Sequence, residues 1–183
     1  MTQGTTSIDS VLLRRALGRF TTGVTVITTV GPEGAPAGCT ASAFSALSLD
    51  PPLVLVCMGK QRRMHDTLSS APGYAVNILA SHQSFLATKF ARPAADRFAG
   101  VSCSPGRHGI PLISGVLAHL QCDRHSQLDG GDHSIVLGHV RDIHLGEGKP
   151  LLYSEGTFFS LPDEDWERSQ TSARHEWLLS APW

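Results

Sequence analysis

Residues 38–58 read Gly38-Cys39-Thr40-Ala41-Ser42-Ala43-Phe44-Ser45-Ala46-Leu47-Ser48-Leu49-Asp50-Pro51-Pro52-Leu53-Val54-Leu55-Val56-Cys57-Met58, and this stretch decides the fold. Thr40, Ser42, Ser45 and Ser48 set hydroxyls among small residues. Small residues let a ligand approach the backbone, and hydroxyls supply donors and acceptors. Asp50-Pro51-Pro52 then breaks the pattern, and Leu53 to Met58 is a short apolar run bounded by turn residues. Such a run predicts a strand buried on both faces. A polar, small-residue segment beside a buried strand suits a flat polar ligand lying on a sheet. The same composition also describes an ordinary Ser-rich turn between two strands.

Working outward, Ile8 to Phe20 has apolar residues at helical spacing, with Ser7 as its N-cap and Arg14, Arg15 and Arg19 off the buried stripe. Gly23 to Val30 alternates and is β-branched, a strand. After the turn Gly31-Pro32-Glu33-Gly34, the chain returns as a strand through Pro36 to Phe44, giving a hairpin. A short helix runs through Met64 and Leu68, and Tyr74 to Leu79 is another strand. Ser81 caps a helix through Phe85, Leu86 and Phe90, and residues 91–115 form a loop with a short helical turn. Val116 to Arg124 and Ser134 to Leu145 are long strands joined by Gln127-Leu128-Asp129-Gly130-Gly131, and Phe158 and Phe159 lie in a last short strand. Strands in hairpins with few, short helices predict a mainly β protein, an antiparallel barrel with covering helices. Residues 1–161 read as one domain, followed by a charged tail, 162–183, that carries Trp166, Trp177 and Trp183.

With 41% apolar and 17% charged residues in 183, the composition is that of an ordinary soluble protein. A formal charge of −1 leaves no electrostatic footprint for nucleic acid. No apolar stretch approaches membrane-spanning length, and Met1 to Ser10 lacks the charged-then-apolar order of a signal peptide. A cytoplasmic location is therefore expected. Cys39, Cys57, Cys103 and Cys122 show no C-x-x-C spacing and are expected as free thiols packed as small apolar groups, Cys57 most clearly.

No Rossmann or phosphate-loop fingerprint is present; Gly146-Glu147-Gly148 lacks a third glycine and opens no helix. His119, Cys122 and His125 are three apart, but on a strand Cys122 points away from the other two, so no metal site is expected. Asp132, His133 and Ser134 are consecutive and cannot converge as a triad. Gly130-Gly131-Asp132-His133 puts an imidazole at a strand's mouth, where it could bond a ligand's ring or carboxamide, or simply face solvent. Lys60, Arg62, Arg63 and Lys89 are cations at element ends, where a phosphate is held or where surface charge sits.

Taken together, Phe20 to Thr29, Thr40 to Val56, Tyr74 to Leu79, Lys89-Phe90-Ala91, Gly131-Asp132-His133 and Gly138-His139-Val140 resemble the short-chain flavin reductase family. These are the NAD(P)H-dependent reductase components of two-component flavin monooxygenases. The resemblance spans residues 10–161 in colinear order. It implies a split β-barrel that binds FMN or FAD, as a homodimer with the flavin near the subunit interface. Carried over by position, Gly38, Cys39, Thr40, Ala41, Ser42 and Ser45 would line the isoalloxazine edge and ribityl chain. Cys57, Met58 and Lys60 would follow the flavin toward its phosphate. Lys89, Phe90 and Ala91 would contact the phosphate or adenylate side, and His133 would face the nicotinamide of NADH or NADPH. Gln61-Arg62-Arg63 departs from the family, which often has Ser or Thr there. The implied activity is hydride transfer to flavin N5, supplying reduced flavin to a separate monooxygenase. The flavin would carry the chemistry and the protein the positioning, with no catalytic acid or base. The alternative is a non-catalytic flavin- or haem-binding barrel, a sensor or carrier.

Overall fold

The computed structural model describes residues 8–94 and 96–171. In chain order these hold α1 (Ser10–Gly18), β1 (Thr22–Gly23), β2 (Thr25–Val30), β3 (Pro36–Ala41), β4 (Phe44–Leu49), β5 (Pro52–Gly59), α2 (Arg63–Ser70), β6 (Gly73–Ile78) and α3 (Ser84–Ala91). Then follow β7 (Cys103–Pro105), β8 (Pro111–Ile113), β9 (Ala118–Gly130), β10 (His133–Leu145), β11 (Leu152–Ser154), β12 (Thr157–Phe159) and α4 (Asp163–Thr171). Trp166 lies in α4; Trp177 and Trp183 fall outside the described residues, as does Ser7.

The main sheet has the order β3-β2-β6-β9-β10-β5-β4, antiparallel throughout. It curls until Cys39 Sγ of β3 lies 3.8 Å from Met58 Sδ of β5. The barrel thus closes by side-chain packing, and among the described residues the outer edge of β3 has no ladder partner. An unpaired edge leaves backbone N–H and C=O groups facing outward. Inside lie Ile27, Val54, Val56, Val76 and Val136, with Met64 and Leu68 brought in by α2. Tyr74 fills the centre, fully buried, its hydroxyl donating to the Val136 carbonyl at 3.5 Å. Gly138 makes room for it: a Cβ there would stand 2.4 Å from Tyr74 Oη and 2.8 Å from Cys122 Cβ. A second core packs α3, through Leu86, Ala87 and Phe90, against Val24, Val26 and Leu151. Buried Asn77 joins the layers, donating to Val26 O and Thr28 Oγ1 and accepting from Ile113 N.

Several expectations are corrected. The strand from Pro36 stops at Ala41; Ser42-Ala43 breaks it, and Phe44 begins β4, which pairs with β5. β5 is buried on one face, not two: Val54, Val56 and Met58 point inward while Leu53, Leu55 and Cys57 are half-covered, because β5 is a barrel wall between β4 and β10. The expected loop at 91–115 holds the β7–β8 hairpin, whose three-residue strands are too short to show a period. The α1 cap is Asp9, accepting from Val11 N at 2.8 Å. No residue of α1 is buried; Val11, Leu12, Leu13 and Leu17 face outward, because none of the described elements lies over them. Of the free thiols, Cys122 is buried, Cys39 and Cys57 are half-buried, and Cys103 is exposed on β7.

Asp123 ties the β7–β8 turn to the long hairpin. It accepts from Arg141 Nε at 2.7 Å and meets His108 Nε2 at 3.2 Å and Arg107 Nη2 at 3.4 Å. His108 first, then the two arginines, hold its carboxyl down at about 2, against 3.8 for the free group. A depressed carboxyl contributes stability that is present above 3.8 and lost as pH falls toward 2. In urea unfolding, wild type should therefore exceed Asp123→Asn by a constant margin above about pH 5, a margin that shrinks through the window between 3.8 and 2 and vanishes below about pH 2; a margin that ignores pH contradicts the assignment. Gly138→Ala should cost about 1–3 kcal/mol by overpacking Tyr74; no loss of stability would mean the barrel centre can yield.

Candidate functional site

A cleft of about 430 Å³ opens along the unpaired edge of β3. Its floor is Cys39, Thr40 and Ala41 of β3 and the break Ser42-Ala43. Cys57, Met58 and Gly59 of β5 form one side, with His133 beyond them. Gln61, Arg62, Arg63 and Met64, leading into α2, form another. Phe90, Ala91 and Pro93, at the end of α3, and Arg97 close the third. Among the described residues, no acidic side chain lines it.

The structure thus brings Cys39, Thr40, Ala41, Ser42, Cys57, Met58, Phe90, Ala91 and His133 together. Two of these are also committed elsewhere: Thr40 Oγ1 donates to Ala87 O at 2.6 Å, and Phe90 is a buried floor residue set edge-on to Phe98. Gly38, Ser45, Lys60 and Lys89 lie outside the lining. Gly38 serves packing, since a Cβ there would stand 2.9 Å from the Phe90 ring. Ser45 is exposed on β4 and donates to Ala46 O at 2.9 Å. Lys60 pairs with Asp129 across the hairpin end, and Lys89 donates to the Ala99 carbonyl.

The cation that sequence reading missed is Arg97. Its Nε donates to Arg92 O at 2.9 Å and its Nη1 to Gly38 O at 2.8 Å, leaving other guanidinium N–H groups over. A lone arginine in an aperiodic loop carries no sequence signal, and the contact with Gly38 is long-range. Among the described residues, Arg62, Arg63 and Arg97 make no ion pair. Burial pushes the Cys39 thiol up to about 12, against the pull of Arg97 and Arg62. The thiol stays protonated and is no nucleophile, and the field of both arginines reaches the cleft floor.

His133 opens β10 opposite Gly59. Its ring packs beside Gly59, with Nε2 at ordinary contact distance, 3.5 Å, from where a Cβ of that residue would stand. Its Nδ1 lies 2.7 Å from Asp132 Oδ1, and this hydrogen bond holds the Asp132 carboxyl below its usual range. A carboxylate only accepts, so Nδ1 carries a proton toward Asp132, and it is Nε2 that faces a ligand. Ser134 alternates inward, buried and 2.9 Å from His65 Nε2. Among the described residues no three His, Cys, Asp or Glu converge to hold a metal; His119 Nε2 is 2.7 Å from Ile113 O and Cys122 points into the core.

The arrangement fits a flat ring carrying a phosphate: small-residue backbone as a floor, unpaired arginines at one end, an oriented imidazole at another, and a volume in the range of small-molecule sites. Comparison with known proteins agrees. Residues 17–162 match the model of the flavin reductase like domain. A probable flavin reductase of Rhizobium meliloti is 41% identical over 152 residues, covering 83% of this chain and 49% of that one, so the chain spans about half that relative's length. The reductase subunit of a flavin-dependent monooxygenase of Rhodococcus jostii is 38% identical over 160 residues, 86% of this chain and 82% of the relative. Among solved structures, the Streptomyces globisporus NADH:FAD oxidoreductase, in complex with NAD and FAD fragments, superposes with a TM-score of 0.81 at 42% identity, covering 85% of this chain and 94% of the other. The resemblance read in the sequence and the split barrel it implied are both upheld: this chain belongs to the flavin reductase family.

Proposed function

We propose that this protein is an NAD(P)H-dependent flavin reductase that supplies reduced FMN or FAD to a separate monooxygenase component. The observation that carries the proposal is the cleft on the unpaired β3 edge, with three unpaired arginines at one end and His133 at the other. Family membership and the names of the relatives support it and favour a catalyst over a carrier or sensor.

Bound flavin supplies the hydride acceptor, and the chain supplies position. The backbone from Cys39 to Ala43 lies under the ring, along the edge of β3 that has no ladder partner among the described residues. Arg62, Arg63 and Arg97 meet the phosphate; a guanidinium matches phosphate geometry with paired donors. Met58 and Phe90 exclude water from the floor. His133 Nε2 accepts from the nicotinamide carboxamide, held for that role by Asp132. Hydride transfer requires no protein acid or base, so the neutral Cys39 thiol takes no part. Orientation of this kind is worth about 7–11 kcal/mol where geometry is well fixed. Residues 1–161 are the working unit and 162–183 an appendage, in a cytoplasmic protein. Two copies pair through the outward apolar face of α1, where Val11, Leu12 and Leu17 otherwise expose large apolar area.

Mixing protein, NADH and FMN tests the activity: loss of NADH absorbance that depends on added flavin is expected, and none at any flavin concentration would refute it. His133→Ala should raise the NADH KM about 3- to 10-fold, the worth of one hydrogen bond, and shift flavin affinity less; unchanged NADH kinetics remove His133 from the role. Leu12→Glu with Leu17→Glu should halve the mass found by light scattering, and an unaltered mass would place the interface elsewhere.

A further inference from the structure

Ser134 Oγ lies 2.9 Å from His65 Nε2, and His65 Nδ1 lies 3.2 Å from Asp66 Oδ1. The connectivity is that of a nucleophilic triad, but Ser134 is buried and stands outside the cleft lining, so no substrate carbonyl meets its hydroxyl. The cluster extends further. Gln127 Nε2 lies 3.3 Å from His65 Nε2, and Ser69 Oγ lies 3.0 Å from Gln127 Oε1 and 2.8 Å from His65 O. His65 and Ser69 stand one turn apart on α2, while Gln127 belongs to β9 and Ser134 to β10. These side chains form a polar seam between the helix and the long hairpin, and hydride transfer has no direct use for it.

α2 is eight residues long, too short to hold its shape alone, and its N-cap Arg62 makes no side-chain cap. Met64 and Leu68 anchor it in the core. Those two lie one above the other along the helix, so they fix its depth more firmly than its turn about its own axis. Successive helical residues are rotated by about 100°. With Met64 inward, Arg63 falls to one side, in the cleft lining, and His65 to the other, against the hairpin. The His65–Ser134 bond supplies what the apolar anchors lack, a stop against rotation. A hydroxyl both donates and accepts, so the bond holds in either protonation state of the ring nitrogen. We propose that His65 and Ser134 are positioning residues: by fixing the turn of α2, their hydrogen bond aims Arg63 at the flavin phosphate, which neither of them touches. The nicotinamide side stands apart from this device, because His133 is held by Asp132 and by the β5 and β9 ladders, none of which passes through α2. The inference rests on the flavin reductase reading of the cleft.

The test compares FMN with riboflavin, which has the same ring and ribityl chain but no phosphate. Dissociation constants come from flavin fluorescence in the wild type, His65→Phe, Ser134→Ala and His65→Gln, with circular dichroism to check the fold. Ser134→Ala removes a single oxygen, so it carries the test should His65→Phe fail to fold. Wild type should bind FMN more tightly than riboflavin. His65→Phe and Ser134→Ala should each weaken FMN about 3- to 10-fold, less than the outright loss of a charged hydrogen bond because Arg62 and Arg97 keep their places. Riboflavin affinity and the NADH KM should stay at wild-type values. His65→Gln, whose amide can still bond the Ser134 hydroxyl, should restore FMN binding. Equal weakening of FMN and riboflavin would overturn the inference by reducing the seam to a general structural support. Unchanged FMN binding, or a raised NADH KM in its place, would overturn it too, and each leaves the reductase reading standing. A wild type that binds neither flavin would overturn that reading, and the inference with it.

Discussion

The constraint on which this structure depends is a barrel that closes through side chains and not through its backbone ladder. Seven antiparallel strands curl until β3 meets β5, and the meeting is made by Cys39 against Met58. Had β3 found a ladder partner there, its outer N–H and C=O groups would be spent within the fold. They are instead turned outward, beside the end of α2 and the chain after α3, where the Gly38 carbonyl takes Arg97 Nη1 as its donor. A strand edge exposed in this way ordinarily invites another strand. Here two helices and the Arg97 loop flank it, so the opening admits a small molecule.

Small residues make this arrangement possible by what they leave out. Gly138 yields the volume that Tyr74 occupies at the barrel centre, and Gly38 yields to Phe90, which seats α3 against β3. Each clears room for an aromatic ring, and the Phe90 ring lines the cleft. The electrostatics follow the same division. Lysines at the periphery are consumed, Lys60 by Asp129 and Lys89 by a carbonyl, while Arg62, Arg63 and Arg97 remain uncommitted to any acid beside the cleft.

Much of this was legible in the sequence because hairpin strands and turn residues act locally. The alternation of residues 24–30, the Gly31-Pro32-Glu33-Gly34 turn and the Asp50-Pro51-Pro52 break fixed the barrel class, and the colinear motifs fixed the family. The small-residue floor at Cys39 to Ser42 and the imidazole at His133 could likewise be found from position. What was not legible depends on distant contacts. Nothing near Arg97 in the chain announces that it reaches Gly38, and nothing near Lys60 announces Asp129. The run Leu53 to Met58 looks doubly buried because apolar residues on an incompletely covered barrel wall read the same as those in a central strand. The apolar period of α1 was real, but periodicity marks a face that seeks cover without saying whether the same chain provides it.

The central claim, that the flavin lies along the open edge of β3, is tested most directly by amide hydrogen exchange with and without FMN. The account predicts that slowing of exchange concentrates at residues 39–43, with a second zone at Arg62 to Met64 and at Arg97. A cleft of about 500 Å³ between α3 and β12, lined by Ser84, Phe85 and Phe159, is the natural rival. Protection gathered there, with the amides of 39–43 exchanging as fast as in the free protein, would contradict the account.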